Sequence, residues 1–335
     1  MRNHADQLYK YQCIDHSSVT PFFKKYIVAP TLFFIPKNIP ANHITLLSFF
    51  CVLGAFSILL MKQVEQPWIY SLIPVLLFLY LYGDHLDGMQ AKRTKTSSGL
   101  GEFCDHFLDI FATGMITYIL FSFFHIRNEI LFFLSLFSNY MLHATIIHEQ
   151  YKTGWLIFDK IGSLEGVLFA IALILLGLHP TLFNFFTTTI FMNMSLIEGI
   201  ILFVGIGTVL TTLKTNTRTH PSRSLLVHYI LSFFVLLIAM SNLNFFYCFV
   251  TFMLHQVYYI GSLIRARVLI EKEPTTDLIT PIFTVSIAFF NLQDFVHVLL
   301  GYLFFRIMMI VYTVFKNLKA HWYWKNPQHQ PTPIC

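Results

Sequence analysis

Residues 83–109 of this chain read GDHLDGMQAKRTKTSSGLGEFCDHFLD, and this stretch decides how the rest is interpreted. It carries two pairs of aspartates: Asp84 and Asp87 are three residues apart, and Asp105 and Asp109 are four apart. In an α-helix, residues at these spacings lie on one face. A short basic turn separates the two pairs, so two consecutive helices can lie antiparallel with their aspartates facing each other.

The composition around this stretch indicates a membrane protein. Of the 335 residues, 56% are hydrophobic and only 12% are charged, whereas a soluble domain carries about 25% charged residues. We predict an all-α polytopic membrane protein, because a spanning helix needs about 20 mostly apolar residues and the chain offers ten such segments. They lie near residues 43–61, 67–85, 103–125, 129–149, 163–179, 194–213, 224–241, 243–263, 276–291 and 294–315.

The basic residues predict the orientation of these spans. Nineteen of the 22 Lys and Arg residues fall in the termini and in the alternate loops that ten spans place on one side. The positive-inside rule therefore puts both termini in the cytoplasm. Arg306 lies within the last predicted span, where it needs an acidic partner or must reach the interface. The net charge of +5 reflects this topology; the basic residues are too dispersed to indicate a nucleic-acid partner.

Three regions follow from this pattern. Residues 1–42 mix aromatic and charged side chains, which is typical of a cytoplasmic segment that lies on the membrane surface. Residues 43–319 form the predicted transmembrane domain, and residues 320–335 form a cytoplasmic tail.

Carboxylates that converge at the edge of a membrane repel one another and are usually functional. Divalent cations would relieve this repulsion, so Asp84, Asp87, Asp105 and Asp109 are predicted metal ligands. Four such side chains suit two Mg²⁺ or Mn²⁺ ions, about 3.5–4 Å apart in sites of this kind. Small residues among the aspartates would let a nucleotide or pyrophosphate approach the helices closely. These are Gly88, Ala91 and Gly101.

The seven positions together form the pattern Asp-x2-Asp-Gly-x2-Ala-x9-Gly-x3-Asp-x3-Asp from Asp84 to Asp109. This pattern resembles the signature of the CDP-alcohol phosphotransferases. The family has Arg after the alanine, whereas this chain has Lys92. Lysine keeps the charge but lacks the two-pronged guanidinium that suits phosphate. Arg93 is a candidate for that contact, because eukaryotic-type members carry two basic residues there.

Other segments resemble the choline/ethanolamine branch of the family, which also has ten spans. They are Tyr9-Lys10-Tyr11 with Asp15-His16-Ser17, Gly101-Glu102-x2-Asp105-His106, Glu149-x-Tyr151-x-Thr153-Gly154 and Glu165-Gly166. Asn42-x-Ile44-Thr45 resembles the entry to the first span in the family as a whole. The resemblance is strong over residues 84–109 and weak after about residue 170.

The resemblance implies a transferase that moves phosphoethanolamine or phosphocholine from a CDP-alcohol donor to a diacylglycerol-like acceptor in the membrane and releases CMP. Bound Mg²⁺ or Mn²⁺ would serve as cofactor. The enzyme would act from the cytoplasmic side, at the inner membrane of a bacterium or at the endoplasmic reticulum or Golgi of a eukaryote. A homodimer is left open.

Roles for further residues stay open at this point. His106 oriented by Glu102 is the preferred general base, since the two lie four residues apart; Asp109 is either a metal ligand or the rival base. Glu102 and His106 equally suit a supporting role beside the metals. The predicted donor-binding residues are Asn42, Gly88, Ala91, Lys92, Arg93, Gly101, Glu149 and Glu165. Of these, Asn42 can equally cap the first span, and Glu149 and Glu165 can equally make helix-packing contacts.

Alternatives to this function remain. Within the family, the enzyme would use CDP-diacylglycerol as donor or a ceramide-type acceptor. In a different class, the acidic cluster would carry a cation through a transporter. Transporters commonly contain internal repeats and discontinuous helices, and the sequence shows neither.

Overall fold

The computed structural model describes residues 12–61, 67–191 and 193–318. These residues divide into two compact units. Within the described ranges, the N-terminal unit comprises residues 12–127 and 157–203, and the C-terminal unit comprises residues 128–156 and 204–318. The Tyr9-Lys10-Tyr11 segment and the predicted tail at 320–335 lie outside the described residues.

The chain is helical through most of the described ranges, as predicted. The helices are α1 (Val19–Phe23), α2 (Ala29–Leu32), α3 (Ala41–Leu60), α4 (Leu72–Thr94), α5 (Gly99–Phe123), α6 (Glu129–Thr153), α7 (Ser163–Gly177), α8 (Pro180–Thr187), α9 (Leu196–Arg218), α10 (Arg223–Asn242), α11 (Phe245–Leu269), α12 (Ile279–Phe289) and α13 (Val296–Asn317). The short strands are β1 (Gln12–Asp15), β2 (Trp155–Phe158), β3 (Thr189–Phe191) and β4 (Met194–Ser195). Strands β3 and β4 pair antiparallel.

The long helices support the prediction of a polytopic membrane protein. Among the described residues, eight helices are long and apolar enough to cross a membrane. They are α3, α4 with the 3₁₀ turn before it, α5, α6, α9, α10, α11 and α13 with its preceding turn. The all-α polytopic fold class is therefore confirmed.

Two of the ten predicted spans take a different form. The fifth consists of α7 and α8, which are bent by 115° at the break between them. Pro180 begins α8, and His179 before it is extended, because the ring of a proline disfavours helical geometry in the preceding residue. The ninth span is α12, which has only 11 residues. Its residues are apolar enough, but the helix is short for a full crossing.

In the N-terminal unit, α3 packs along both α4 and α5, and α7 also contacts these two helices. The segment before them, from Val19 to Leu32, contains a π-helical turn at Lys24–Val28. It exposes large aromatic side chains, among them Phe22, Phe33 and Phe34, beside the exposed Lys25. Aromatic and basic side chains together are typical of a segment at a membrane surface.

In the C-terminal unit, α11 is the central helix. It packs against α6, α10 and α13, and 83% of its most apolar stretch is buried inside the protein.

The structure also supplies partners for Arg306 of α13. Its guanidinium donates to the Tyr302 hydroxyl at 2.6 Å and to the Tyr258 hydroxyl. Tyr302 in turn donates to Asp277 at 3.1 Å. The charge within the last span is thus linked to a carboxylate through a tyrosine.

The turn between α4 and α5 places the two aspartate-bearing helices. Helix α4 ends at Thr94, because the next residue, Lys95, has a positive φ of 57°. Helix α5 begins after Ser98, whose hydroxyl accepts a hydrogen bond from the Gly101 backbone N–H at 3.2 Å. Serine at this position satisfies an N–H group that the first turn of a helix leaves unpaired.

A close approach between α3 and α4 depends on Gly83. A Cβ atom added at Gly83 would lie 2.6 Å from Cβ of Ser48, which is closer than two carbon atoms can pack. Gly54, in the same helix pair, has more room, because an added Cβ would lie 3.6 Å from Cδ1 of Leu76.

We predict that Gly83→Ala and Gly54→Ala change stability in opposite directions. Overpacking a core costs about 1–3 kcal/mol, whereas replacing glycine inside a helix gains up to about 1 kcal/mol. Thermal unfolding of the purified protein in detergent should show a lower midpoint for Gly83→Ala only. Adding Ser48→Gly, which removes the opposing Cβ, should restore it. Equal midpoints for the two alanine variants would contradict this packing.

Candidate metal centre

Two helices bring three aspartates together. Asp84 lies on α4, and Asp105 and Asp109 lie on α5. One carboxylate oxygen from each can be chosen so that all three lie within 4.8 Å of one another. All three residues are partly buried. Because α4 and α5 run antiparallel from one short turn, the spacings read from the sequence place these side chains at one end of the helix pair.

The fourth aspartate, Asp87, lies one turn further along α4 and is not among these three. It is 4% exposed, and its Oδ2 accepts a hydrogen bond from the Thr45 hydroxyl of α3. A carboxylate used in this way is held in one orientation by a neighbouring helix. The structure therefore gives Asp87 a partner in α3, while the other three share the space between α4 and α5.

The donor set fits a hard divalent cation. Oxygen ligands from carboxylates are those that Mg²⁺ and Mn²⁺ prefer. Asp105 Oδ1 is buried and has no hydrogen-bond partner within the described residues. A buried polar atom without a partner is costly, and a bound cation would satisfy it. Asp84 keeps a neighbour of its own, since its Oδ2 lies 3.2 Å from Nδ1 of His85.

Glu102 and His106 both lie on α5 and are buried, at 6% and 8% exposure. They are one helical turn apart, and His106 directly follows Asp105. The structure thus keeps both ionisable side chains inside the protein on the helix that carries two of the clustered aspartates. Their assignment as general base and orienting residue stays a prediction.

The small residues of the motif leave space beside the aspartates. Gly88 is exposed, and a Cβ added there would meet nothing within 4 Å. Gly101 faces Asn42, since its added Cβ would lie 3.4 Å from Asn42 Oδ1. Ala91 is partly buried and Lys92 is exposed. Open space is thus present at Gly88, and the binding roles of all these residues stay predictions.

Arg93 has partners within the protein. Its guanidinium donates to the backbone carbonyls of Leu32 and Ile35, the latter at 3.0 Å. Gln90, one turn earlier, donates to the carbonyls of Pro36 and Ile39 at 3.0 and 2.9 Å. Helix α4 therefore anchors the loop between α2 and α3. Since a guanidinium has five N–H donors, these bonds leave capacity for the predicted phosphate contact.

The two remaining glutamates also have protein partners. In the C-terminal unit, Glu149 is 1% exposed and accepts from Arg218 Nε and Nη2 at 2.6 Å each, and from Thr219 at 2.8 Å. In the N-terminal unit, Glu165 accepts from the Gly162 backbone N–H at 2.8 Å and from the Ser17 hydroxyl. The helix-packing interpretation thus has direct contacts for both, and their donor-binding role stays a prediction.

Two neighbours of the aspartates were missed by sequence reasoning. One is His85, beside Asp84. The other is Tyr80, whose hydroxyl donates to Asp109 Oδ1 at 2.7 Å. The available signal was that Tyr80 precedes Asp84 by four residues and so shares its helix face.

Comparison with known proteins agrees with this geometry. The CDP-alcohol phosphatidyltransferase family model matches residues 38–208, more than half of the chain, including all four aspartates. The chain belongs to this family. The resemblance drawn from the motif is thereby confirmed, and the family comprises transferases of substituted phosphate groups.

Several relatives give the range of similarity. An uncharacterized CDP-alcohol phosphatidyltransferase class-I family protein 2 from Dictyostelium discoideum is 30% identical over 223 residues, which cover 63% of this chain and 52% of the relative. Choline/ethanolaminephosphotransferase 1 from Arabidopsis thaliana is 37% identical over 113 residues, 31% of this chain and 28% of the relative.

Choline/ethanolaminephosphotransferase 1 from Saccharomyces cerevisiae is 29% identical over 193 residues, 53% of this chain and 48% of the relative. The alignments thus span about half the length of the first of these relatives and of the yeast protein, and less of the plant protein.

We predict that Asp105→Asn makes the metal-free protein more stable and removes its stabilisation by metal. Asparagine keeps the shape but relieves the repulsion among carboxylates, and it supplies a weaker ligand. For the unaltered chain, Mn²⁺ at 100 times its dissociation constant should add about 2.7 kcal/mol. Thermal unfolding with Mn²⁺ and with a chelator measures both effects.

Asp294→Asn, at an exposed loop aspartate, is the matched control and should respond to Mn²⁺ like the unaltered chain. A full Mn²⁺ response in Asp105→Asn would exclude Asp105 as a ligand.

Proposed function

We propose that this chain is an integral-membrane transferase that moves phosphoethanolamine or phosphocholine from a CDP-alcohol to the hydroxyl of diacylglycerol and releases CMP. The observation that carries the proposal is the convergence of Asp84, Asp105 and Asp109 from two helices that hold the complete family pattern. The similarity to choline/ethanolaminephosphotransferases supports the choice of donor.

The aspartates would hold the divalent cations. When bound, two ions would neutralise charge on the donor's pyrophosphate and make its phosphorus more electrophilic. Asp84, Asp87, Asp105 and Asp109 are the ligands we assign to them. The partly exposed side formed by Gly88, Ala91 and Gly101 would admit the nucleotide, with Asn42 beside it and Lys92 and Arg93 facing the phosphates.

In the reaction, the lipid hydroxyl attacks the phosphorus that carries the small alcohol. A new phosphorus–oxygen bond forms to the lipid, the bond from phosphorus to CMP breaks, and the hydroxyl proton passes to a protein base. His106 is the base we propose, with Glu102 one turn away to orient it. Phosphoryl transfer depends mainly on positioning and charge stabilisation, which α4 and α5, both packed on α3, would provide.

We place the site and both termini on the cytoplasmic side. The support is the distribution of Lys and Arg, including Lys92 and Arg93 in the last turn of α4 and Lys95 directly after it. A water-soluble CDP-alcohol would reach the site from the cytoplasm, while the apolar acceptor would enter laterally from the bilayer between helices.

A donor panel tests the reaction. Purified full-length protein with Mg²⁺ and diacylglycerol should release CMP from CDP-choline or CDP-ethanolamine, and Asp84→Ala should abolish release because a metal ligand is lost. Normal membrane insertion and extraction of Asp84→Ala is the control for folding.

Release of CMP only from CDP-diacylglycerol, or only with a ceramide acceptor, would place the chain elsewhere in the family. Cation flux without CMP from any donor would favour a transporter instead.

For His106→Ala we expect turnover to fall by about 10²–10⁴-fold, the usual contribution of a general base. The measurement is the rate of CMP release at saturating donor and metal, with Mn²⁺ binding measured in parallel. Unchanged binding with a lower rate would fit a base. A rate close to that of the unaltered chain would exclude His106, and Asp109 would then be the remaining candidate.

A further inference from the structure

The hydroxyl of Tyr80 contacts Asp109, one of the three clustered aspartates. Tyr80 lies on α4 and is 8% exposed, and its hydroxyl donates to Asp109 Oδ1 at 2.7 Å. Neither the motif nor the similarity to relatives assigns a role to this residue. Three observations give it one.

The first observation is the helix register. Asp84 lies close to Asp105, and Tyr80, four residues before Asp84, lies close to Asp109, four residues after Asp105. This register is that of two antiparallel helices: the residue one turn before Asp84 on α4 faces the residue one turn after Asp105 on α5. The antiparallel register of α4 and α5 therefore places Tyr80 next to the carboxylates.

The second observation is that, within the described ranges, the Asp109 carboxylate is engaged through its Oδ1. Its Oδ1 accepts from Tyr80, which leaves Oδ2 for a cation shared with Asp84 and Asp105. A carboxylate can rotate about its side-chain bonds, and a hydrogen bond from a buried phenol restricts that rotation. Supporting hydrogen bonds of this kind orient metal ligands in proteins.

The third observation concerns the other aspartates of the motif. Asp87 accepts from the Thr45 hydroxyl, and Asp84 lies beside His85 Nδ1. Asp105 Oδ1, in contrast, has no hydrogen-bond partner within the described residues. Asp87 and Asp109 are thus each held by one hydroxyl group, and Oδ1 of Asp105 is left for a ligand.

We infer that Tyr80 is a positioning residue of the metal centre, which holds Asp109 so that Asp109 serves as a cation ligand and not as the base. The catalytic meaning of this inference rests on the proposed function, but the metal binding does not. Tyr80 itself touches neither substrate nor cation; it acts through Asp109. Acceptance of the substrate proton then falls to His106.

The test compares Tyr80→Phe with Tyr82→Phe in the full-length protein. Both substitutions remove one hydroxyl from α4 and keep the ring. Tyr82 is a matched control, because its hydroxyl pairs with Thr31 and not with a carboxylate. Mn²⁺ affinity is measured without substrate, by titration calorimetry or by electron paramagnetic resonance of free Mn²⁺.

We expect Tyr80→Phe to weaken Mn²⁺ binding roughly 10–100-fold, the usual effect of losing a residue that orients a metal ligand. Tyr82→Phe should stay within about twofold of the unaltered chain. In turnover assays, the Mn²⁺ concentration for half-maximal rate should rise by the same factor in Tyr80→Phe, and the rate at saturating Mn²⁺ should largely recover.

A double variant shows whether Tyr80 acts through Asp109. Asp109→Asn should itself weaken Mn²⁺ binding, and adding Tyr80→Phe should weaken it little further, because residues that act through one contact are not additive. Full additivity, or equal Mn²⁺ affinity in Tyr80→Phe and Tyr82→Phe, would overturn the inference. So would unchanged affinity with a lower rate at saturating Mn²⁺, which would make Asp109 the base.

These outcomes separate the inference from the proposed function. If Mn²⁺ affinity depends on Tyr80 but no donor yields CMP, the inference stands and the proposed transfer is wrong. If CMP is released but Tyr80→Phe binds Mn²⁺ as tightly as the unaltered chain, the transfer stands and the inference is wrong. An unaltered chain that binds no Mn²⁺ also overturns the inference.

Discussion

The mutual repulsion of Asp84, Asp105 and Asp109 is the constraint around which the N-terminal unit is arranged. Their nearest carboxylate oxygens lie within 4.8 Å of one another. Two unit charges 4 Å apart repel by about 1 kcal/mol in water and by about 4 kcal/mol at an effective dielectric constant of 20. Helices that hold such groups together must be fixed by other contacts, and a bound cation would offset their charge.

Those other contacts come from helices on several sides. Helix α3 packs on both aspartate-bearing helices, approaches α4 most closely where Gly83 meets Ser48, and supplies the Thr45 hydroxyl to Asp87. Further along α4, Gln90 and Arg93 donate to four backbone carbonyls, one at the end of α2 and three in the loop before α3. Helix α4 therefore carries predicted metal ligands on one face and structural hydrogen-bond donors on another. This double use explains why the second half of α4 holds so many polar residues in an otherwise apolar chain.

Much of this arrangement could be predicted from local sequence patterns. The membrane class followed from composition, and eight predicted spans correspond to long apolar helices among the described residues. The spacing of the aspartates indicated one face on each helix. The break at His179-Pro180 and the shortness of α12 were not predicted, because an average of hydropathy over 20 residues does not register where a helix bends or begins.

The sequence by itself determined the membrane class, the helix faces and the family, because each depends on residues close together in the chain, on their polarity and their spacing. Only the tertiary structure decided that Thr45 binds Asp87, that Tyr80 binds Asp109, that Arg306 reaches Asp277 through Tyr302, and that Arg218 neutralises Glu149. Apart from the step between Arg306 and Tyr302, these contacts join residues 25 to 69 positions apart. They form because helices packed in an apolar environment leave polar side chains no partner except one another.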